Sequence, residues 1–249
     1  MHMPPEPPQA PILSWHASLL AEALRTALAP QRWPLDLSLL PEDTLLVGGA
    51  VRDALLERLK PRPDLDLVVT GDAVALARGL AQRCGGTCVV LDAERSIARL
   101  VLRGWCFDLA RRMGDDVEQD LRRRDYSVNA IALPLHGDGG PIDPCRGLDD
   151  LRARRMRALG EANLLEDPLR LLRGARLACE LGFQLEPRTL SWIRLHRLRL
   201  AAVAGERVLA ELERLAASPD GAAGLAQTLE LGLLEGWRGE AAAALPLLA

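Results

Sequence analysis

The sequence lacks the features that identify a membrane, secreted or zinc-binding protein. It has no run of roughly 18 apolar residues, and its N-terminus has neither the charged nor the apolar region of a signal peptide. Its five cysteines are odd in number, and Cys84 and Cys88 have no second pair at zinc-ligand spacing. We therefore expect a cytoplasmic protein with reduced thiols and no membrane partner.

Histidine, lysine and excess charge are scarce as well. The four histidines are scattered and none is followed by aspartate, which argues against an HD-type metal-dependent phosphohydrolase. The formal net charge is only −3, and Lys60 is the single lysine. Contact with RNA must therefore come from local arginine patches, for which the candidates are 122–124, 152–157 and 194–199.

The order of apolar runs divides the chain of 249 residues into three predicted parts. Residues 1–41 form an N-terminal extension with one helix at 12–29, and residues 42–147 alternate strands and helices. Residues 148–249 are predicted to be helical throughout. The sequence thus predicts an α+β protein, in which a head with a mixed sheet is followed by a helical neck and partial body.

The predicted elements follow from the same pattern. Strands are expected at 44–48, 65–69, 87–91, 97–102 and 105–110. Helices are expected at 49–59, 72–84, from 126 to 133, 164–181, 187–200 and 206–217.

The most informative stretch joins an apolar run, the pair Gly48-Gly49 and the motif Asp64-Leu65-Asp66. Side chains alternate along a strand, so Asp64 and Asp66 are expected on one face while Leu65 points into the core. Mg²⁺ in proteins binds to one or two carboxylates together with substrate phosphates. The motif therefore predicts a magnesium site.

A phosphate-facing turn is predicted just before the following helix. Gly48 and Gly49 lack Cβ atoms, so the backbone can approach a phosphate closely, and Arg52 can add a charge-assisted contact. Alone, a glycine pair is typical of a hairpin and Asp-x-Asp of a solvated strand end. Their joint spacing favours a site for a metal ion and a nucleoside triphosphate.

Further motifs follow in a fixed order. Residues 123–130 contain Arg-Arg-Asp-Tyr-Ser-x-Asn-Ala, and residues 142–151 contain Asp-Pro followed by Gly-x-x-Asp-Leu. Residues 166–173 contain Glu-Asp-x-x-Arg, and residues 205–212 contain Gly-Glu-Arg. Over about residues 42–237 the chain resembles the class II tRNA nucleotidyltransferases, the family of bacterial CCA-adding enzymes and poly(A) polymerases.

This resemblance implies an activity and its partners. The expected reaction is template-independent addition of C, and of A in some members, to the 3′ end of tRNA from CTP or ATP, with release of pyrophosphate. Mg²⁺ is the implied cofactor, and the head is expected to be similar to that of the DNA polymerase β superfamily. A second copy of the chain is also a candidate partner.

The resemblance also implies roles for individual residues. Asp64 and Asp66 would hold the metal, and Asp108 would be a third ligand or base, although taken alone Asp108 is more typical of a strand-end charge. The implied nucleotide-binding residues are Gly48, Gly49, Arg52, Arg124, Asp125, Asn129, Asp167, Arg170 and Arg173.

Base selection has a chemical rationale in the pair Asp167 and Arg170. A carboxylate can accept from the exocyclic amino group of cytosine or adenine while a guanidinium donates to a ring nitrogen; guanine and uracil present a carbonyl instead. Two structural alternatives stay open. Asp167 before a proline is also a good N-cap, and Asp125 could cap a helix over 126–133.

Two departures from the family pattern affect the prediction. The chain ends soon after Trp237, where family members continue into a tail, so the tail is truncated or replaced by a partner. Only the segment Leu109 to Leu121 separates Asp108 from the Arg-Arg-Asp motif, so most of a flexible loop is missing. In the family, loss of this loop accompanies addition of C alone. A complete CCA-adding enzyme, a poly(A) polymerase and a non-catalytic RNA-binding relative are the alternatives, and the intact Asp64 and Asp66 count against the last.

Overall fold

The computed structural model describes residues 17–237, and these fall into two units. The first unit takes in the chain up to Leu121 together with Asn129–Pro144, and the second takes in Arg122–Val128 and the chain from Cys145. The change of unit at Cys145 is close to the predicted end of the head at residue 147. The division into three domains stays a prediction.

A mixed six-stranded sheet forms the centre of the first unit, in the order β3-β4-β5-β2-β1-β6. Its strands are β1 (Leu45–Val47), β2 (Leu65–Val69), β3 (Thr87–Asp92), β4 (Ile97–Leu102), β5 (Trp105–Arg111) and β6 (Ala132–Pro134). Its helices are α1 (Ala17–Leu28), α2 (Gly49–Leu55), α3 (Ala73–Cys84) and α4 (Val117–Arg122). The predicted α+β fold is confirmed.

Strand β2 lies between β1 and β5, and both neighbours pair with it along most of its length. It runs antiparallel to β1 and parallel to β5. Leu65 and Leu67 are fully buried, whereas Asp66 between them is half-buried. The alternation predicted from the sequence therefore separates a core face from a polar face.

The N-terminal helix α1 is fastened to the first unit by one arginine. The Arg25 guanidinium donates to the backbone carbonyls of Gly137 and Gly139 at 2.9 and 2.8 Å. Further along, the Trp33 indole N–H donates to the carbonyl of Leu28 at 3.0 Å, which closes the end of the helix. The predicted helix at 12–29 is thus present over Ala17–Leu28, and its first residues lie outside the described part of the chain.

The second unit is mainly helical. Its helices are α5 (Gly147–Arg152), α6 (Glu161–Glu166), α7 (Leu169–Leu181), α8 (Pro187–His196), α9 (Gly205–Ala216) and α10 (Gly221–Glu230). Two short strands, β7 (Arg155–Met156) and β8 (Gln184–Leu185), pair in parallel, so the prediction of helices throughout was wrong on this point.

The predicted helix from residue 126 was also wrong. Only a 3₁₀ turn forms at Ser127–Asn129, and it leads directly into β6. Leu133 of β6 lies opposite Leu46 of β1, and the N–H of Ala132 donates to the carbonyl of Ile142 at 3.0 Å. A short, fully buried apolar run has no period that distinguishes a strand from a helix, so its pairing partners decided the outcome.

The predicted helix over 164–181 is broken in two at Asp167. This residue has extended backbone angles (φ −138°, ψ 99°) and precedes Pro168, whose ring disfavours the helical conformation in the residue before it. The helix predicted at 187–200 gives way to a 3₁₀ turn at Arg197–Ala202, and the helix predicted at 206–217 is confirmed. Within residues 17–237 we find no helix with the length and apolar character needed to span a membrane.

Candidate functional site

Three carboxylates of the first unit are placed by strand register. The parallel pairing of β2 with β5 sets Asp66 directly opposite Asp108. Asp64 lies two residues before Asp66, so by strand alternation it belongs to the same face. Asp64 is exposed, and Asp66 and Asp108 are half-buried, so the sheet presents these carboxylates on a face that solvent reaches.

The turn before α2 is shaped around Asp66. Gly48 has a φ of +77°, and a Cβ at this position would lie 2.6 Å from the carboxylate oxygen Oδ2 of Asp66. An L side chain is therefore excluded both by the backbone angle and by the close carboxylate. The glycine predicted to face a phosphate also gives Asp66 its space.

Asp108 is held by an arginine that the sequence analysis missed. Nε and Nη2 of Arg99, on β4, donate to Oδ1 and Oδ2 of Asp108, both at 2.7 Å. These hydrogen bonds, together with the negative charges of Asp108 and Asp64, raise the pKa of Arg99. A signal for Arg99 was present, because it is the one charged residue in the otherwise apolar strand 97–102.

This face fits the predicted magnesium ion. Carboxylate oxygens are the hard ligands that Mg²⁺ prefers, and Asp64, Asp66 and Asp108 present them on one face that solvent reaches. Residues 17–237 contain no ready-made group of three His, Cys, Asp or Glu side chains able to enclose a metal. Because Mg²⁺ usually completes its shell with water and substrate phosphates, two protein carboxylates suffice.

A cavity elsewhere in the first unit does not coincide with these residues. It has a volume of about 620 Å³ and is lined mainly by the segment 30–37 and residues 133–135, with Arg25 of α1 at its border. None of the predicted site residues lines it. This cavity is therefore not part of the candidate site.

Arg52 and Asn129, predicted separately for the triphosphate and the ribose, are bonded to each other. Nη1 of Arg52 donates to Oδ1 of Asn129 at 2.7 Å, and its Nε donates to Asp53 at 2.8 Å. Both Arg52 and Asn129 are buried. Nη2 of Arg52 lies beside Gly49, at 3.5 Å from where a Cβ would stand, so the guanidinium borders the glycine turn.

In the second unit, the predicted Asp125 and Arg173 are brought together. Nε of Arg173 lies 3.3 Å from Oδ2 of Asp125, and Oδ1 of the same carboxylate accepts from the N–H of Tyr126 at 2.7 Å. Asp125 is buried. The alternative role of Asp125 as cap of a helix over 126–133 is wrong, because only a 3₁₀ turn follows it.

Asp167 makes two side-chain contacts, and its role in reading the base stays a prediction. Its Oδ1 accepts from the N–H of Leu169 at 3.3 Å, as a capping side chain does. Its Oδ2 accepts from Nη2 of Arg207 on α9 at 2.8 Å. The motif Gly-Glu-Arg was noted in the sequence, but its arginine was given no role, and its partner lies 40 residues away.

Arg170 is fixed mainly by backbone carbonyls. Its Nη1 donates to the carbonyl of Asn163 at 2.8 Å and to that of Arg123 at 3.2 Å. It also lies 3.5 Å from Glu166, which in turn is 3.3 Å from Arg123. The guanidinium is therefore oriented without any nucleotide.

The segment that carries Arg124 and Asp125 is anchored by the two residues that follow. The Tyr126 hydroxyl donates to the carbonyl of Arg170 at 2.8 Å, and burial raises the pKa of this tyrosine. Oγ of Ser127 donates to the fully buried Asp150 at 2.6 Å. Asp150 also accepts from Arg157 at 2.8 Å. The Gly-x-x-Asp-Leu motif thus supports the segment predicted to bind the nucleotide, from within the second unit.

Two domain families match different parts of this chain. Residues 44–157 match the poly(A) polymerase head domain, and residues 182–245 match a domain described as the probable RNA and SrmB-binding site of polymerase A. A CC-adding tRNA nucleotidyltransferase of Synechocystis sp. is 44% identical over 207 residues, which are 83% of this chain and 50% of that protein. An A-adding tRNA nucleotidyltransferase of Deinococcus radiodurans is 42% identical over 200 residues, 78% of this chain and 45% of that protein.

The fold is shared with solved structures of similar enzymes. The CCA-adding enzyme of Thermotoga maritima, solved in complex with tRNA, matches with a TM-score of 0.74 and 27% identity, over 88% of this chain and 56% of that one. The chain spans about half the length of the relatives it matches. With both of these domains matched and the family motifs in order, the chain belongs to the tRNA nucleotidyltransferase and poly(A) polymerase family.

Proposed function

We propose that this chain carries the nucleotidyl-transfer and base-selection parts of a tRNA nucleotidyltransferase that adds C residues to the 3′ end of tRNA. CTP is the donor and pyrophosphate the product. The observation that carries the proposal is the Asp64 and Asp66 pair beside the glycine turn at Gly48, together with the family membership.

Asp64 and Asp66 are the proposed holders of Mg²⁺, with Asp108 beside them. The chemistry supplied by bound Mg²⁺ is activation of the RNA 3′-hydroxyl and neutralisation of charge on the departing pyrophosphate. The turn at Gly48-Gly49 lets a triphosphate approach the backbone, and Arg52, fixed by Asn129, offers positive charge at its border.

Asp167 and Arg170 are the proposed readers of the base. The carboxylate of Asp167 accepts from the amino group of cytosine, and the guanidinium of Arg170 donates to the neighbouring ring nitrogen. Asp125 and Arg173 are proposed to bind the ribose, and Arg124 to contact the nucleotide. Because Asp167 is held by Arg207 and Arg170 by backbone carbonyls, both readers are oriented before a nucleotide arrives.

Addition of C alone is supported by the short connection after β5. The strand ends at Arg111 and α4 begins at Val117. The residues between them are bonded to neighbouring elements, since the N–H of Arg112 donates to the carbonyl of Val69 on β2 at 2.7 Å and that of Met113 to Asp120 on α4 at 2.9 Å. A ligand shifts a pocket between two states only by as much as its affinities for the two states differ. Without a mobile loop that could change the pocket, we expect ATP to leave its shape unchanged.

Three tRNA transcripts test this proposal, ending at the discriminator base, in one C or in two Cs. We expect CTP to be added to the first two and the third to remain unextended with ATP and Mg²⁺. Efficient addition of one A to the third transcript, with C addition to the others, would indicate a complete CCA-adding enzyme. Addition of A without C would indicate an A-adding enzyme, and a long A tract a poly(A) polymerase. A cytoplasmic location and a second copy as partner stay predictions.

A further inference from the structure

Arg99 continues the row of carboxylates across the sheet of the first unit. Asp66 on β2 is in register with Asp108 on β5, and Asp108 is in register with Arg99 on β4. The Arg99 side chain is 40% exposed and that of Asp108 is 21% exposed. The pair therefore lies on the same solvent-accessible face as the proposed metal ligands.

The geometry of the pair fixes the plane of the Asp108 carboxylate. Two parallel N–H···O bonds of 2.7 Å join the fork of the guanidinium to both oxygens. A bidentate contact of this kind restricts both the position and the rotation of a carboxylate, which a single point charge cannot do. Each carboxylate oxygen keeps a further lone pair, so Asp108 can still bind a metal ion on the side that faces Asp66.

Stability alone does not explain a partly exposed pair at this place. Solvent screening weakens a partly exposed ion pair, so the bidentate geometry adds only part of its strength to folding. Electrostatics gives a clearer reason, because three carboxylates on one face repel one another, and a neighbouring cation offsets part of their charge.

We propose that Arg99 is a positioning residue of the nucleotidyl-transfer site, acting through Asp108. It holds Asp108 in one orientation beside Asp66 and lowers the negative charge of the face. As a result the face binds a divalent metal weakly alone and more strongly when the triphosphate supplies further oxygens. This inference rests on the proposed function.

Two substitutions separate charge from geometry. Arg99→Met removes both, whereas Arg99→Lys keeps the charge but loses the bidentate contact. Arg78→Met, at an exposed position of α3, is the matched control for loss of one positive charge. Circular dichroism and thermal unfolding establish that each full-length variant is folded.

The first measurement is Mn²⁺ binding by electron paramagnetic resonance, without nucleotide or RNA. Since a repelling charge is removed, we expect Arg99→Met to bind Mn²⁺ about three- to tenfold more tightly than the unmodified protein. Arg99→Lys and Arg78→Met should bind it as the unmodified protein does. Unchanged or weaker binding by Arg99→Met, or equal tightening in Arg99→Lys, would overturn the electrostatic role.

The second measurement is the rate of CTP addition to a tRNA transcript at saturating Mg²⁺. Both Arg99 variants should lose about 10- to 100-fold in kcat, with a smaller change in the KM for CTP, as is typical when a supporting contact is removed. A normal kcat in both variants would overturn the positioning role. If the unmodified protein adds no nucleotide, the proposed function fails, whereas the Mn²⁺ measurement still decides the role of Arg99.

Discussion

The two units hold their predicted functional residues in different ways. In the first unit, Asp64 and Asp66 are placed by the backbone of one strand, on a face that solvent reaches. In the second unit, Asp125, Asp167 and Arg170 are each bound to partners from other elements. Function and stability should therefore be separable in the first unit and coupled in the second.

Asp108 is an exception within the first unit. It comes from the same sheet as Asp66, yet like the residues of the second unit it is held by a side chain from a different element, Arg99. The backbone of a strand fixes the position of an aspartate without help from other side chains. The orientation of its carboxylate group, in contrast, needs a supporting side chain. The four tests below examine this comparison, starting with the largest expected effect.

The first test is Asp64→Ala or Asp66→Ala. Because these side chains contribute charge to the site and no apolar contact to the core, we expect nucleotide addition to fall by more than the ~10²-fold typical of one lost electrostatic contact, with the unfolding temperature nearly unchanged. Rates of CTP addition and thermal unfolding are the measurements, and Asp43→Ala at an exposed loop is the control. Near-normal addition by the double variant would refute the metal assignment.

The second test is Gly48→Ala. The new Cβ would lie 2.6 Å from Oδ2 of Asp66 at a φ of +77°, so the carboxylate or the turn must move. We expect addition to fall by about 10- to 100-fold, in keeping with the cost of small displacements in active sites. Gly71→Ala is the control, because a Cβ there meets nothing within 4 Å. Equal activity of the two variants would show that the position of Asp66 does not matter.

The third test replaces Asp167 and Arg170 together by Ala. Loss of the base contacts should let UTP and GTP compete with CTP, because one bidentate base contact is worth about 1–3 kcal/mol of discrimination. Since both residues also bond within the second unit, the unfolding temperature should fall as well. Single-nucleotide addition with each of the four triphosphates measures the selectivity. An unchanged ranking at a lower rate would leave these residues with a capping and packing role only.

The smallest expected effect is that of Arg207→Ala. The substitution removes the Arg207 contact to Asp167 but leaves the contact of Asp167 with the N–H of Leu169. We expect discrimination against UTP to weaken by less than in the double variant, with a small loss of stability, because exposed ion pairs contribute about 0–1 kcal/mol. Arg214→Ala, at an exposed position of the same helix α9, is the control. Selectivity identical to that of the unmodified protein would show that Asp167 is oriented by its cap alone.

Local sequence determined the elements that hold the proposed metal ligands. The strands β1 and β2 lie within one residue of their predicted ends, because strand alternation and the conformational freedom of Gly48 act between neighbours along the chain. Helix α2 begins where it was predicted but ends at Leu55 and not at residue 59. The same reasoning failed at 126–133, where a buried apolar run pairs with β1 as part of the sheet.

Tertiary structure alone decided which side chains meet. Arg99 finds Asp108 through the register of β4 on β5, Arg207 reaches Asp167 across 40 residues, and Ser127 reaches the buried Asp150 across 23. A sequence pattern shows which charge and which hydrogen bonds a side chain can provide. For neighbours on one strand it also shows to which face of the sheet each side chain points. Partners on separate elements depend on pairing register and helix packing, which are set by burial of the whole core and leave no local pattern in the sequence.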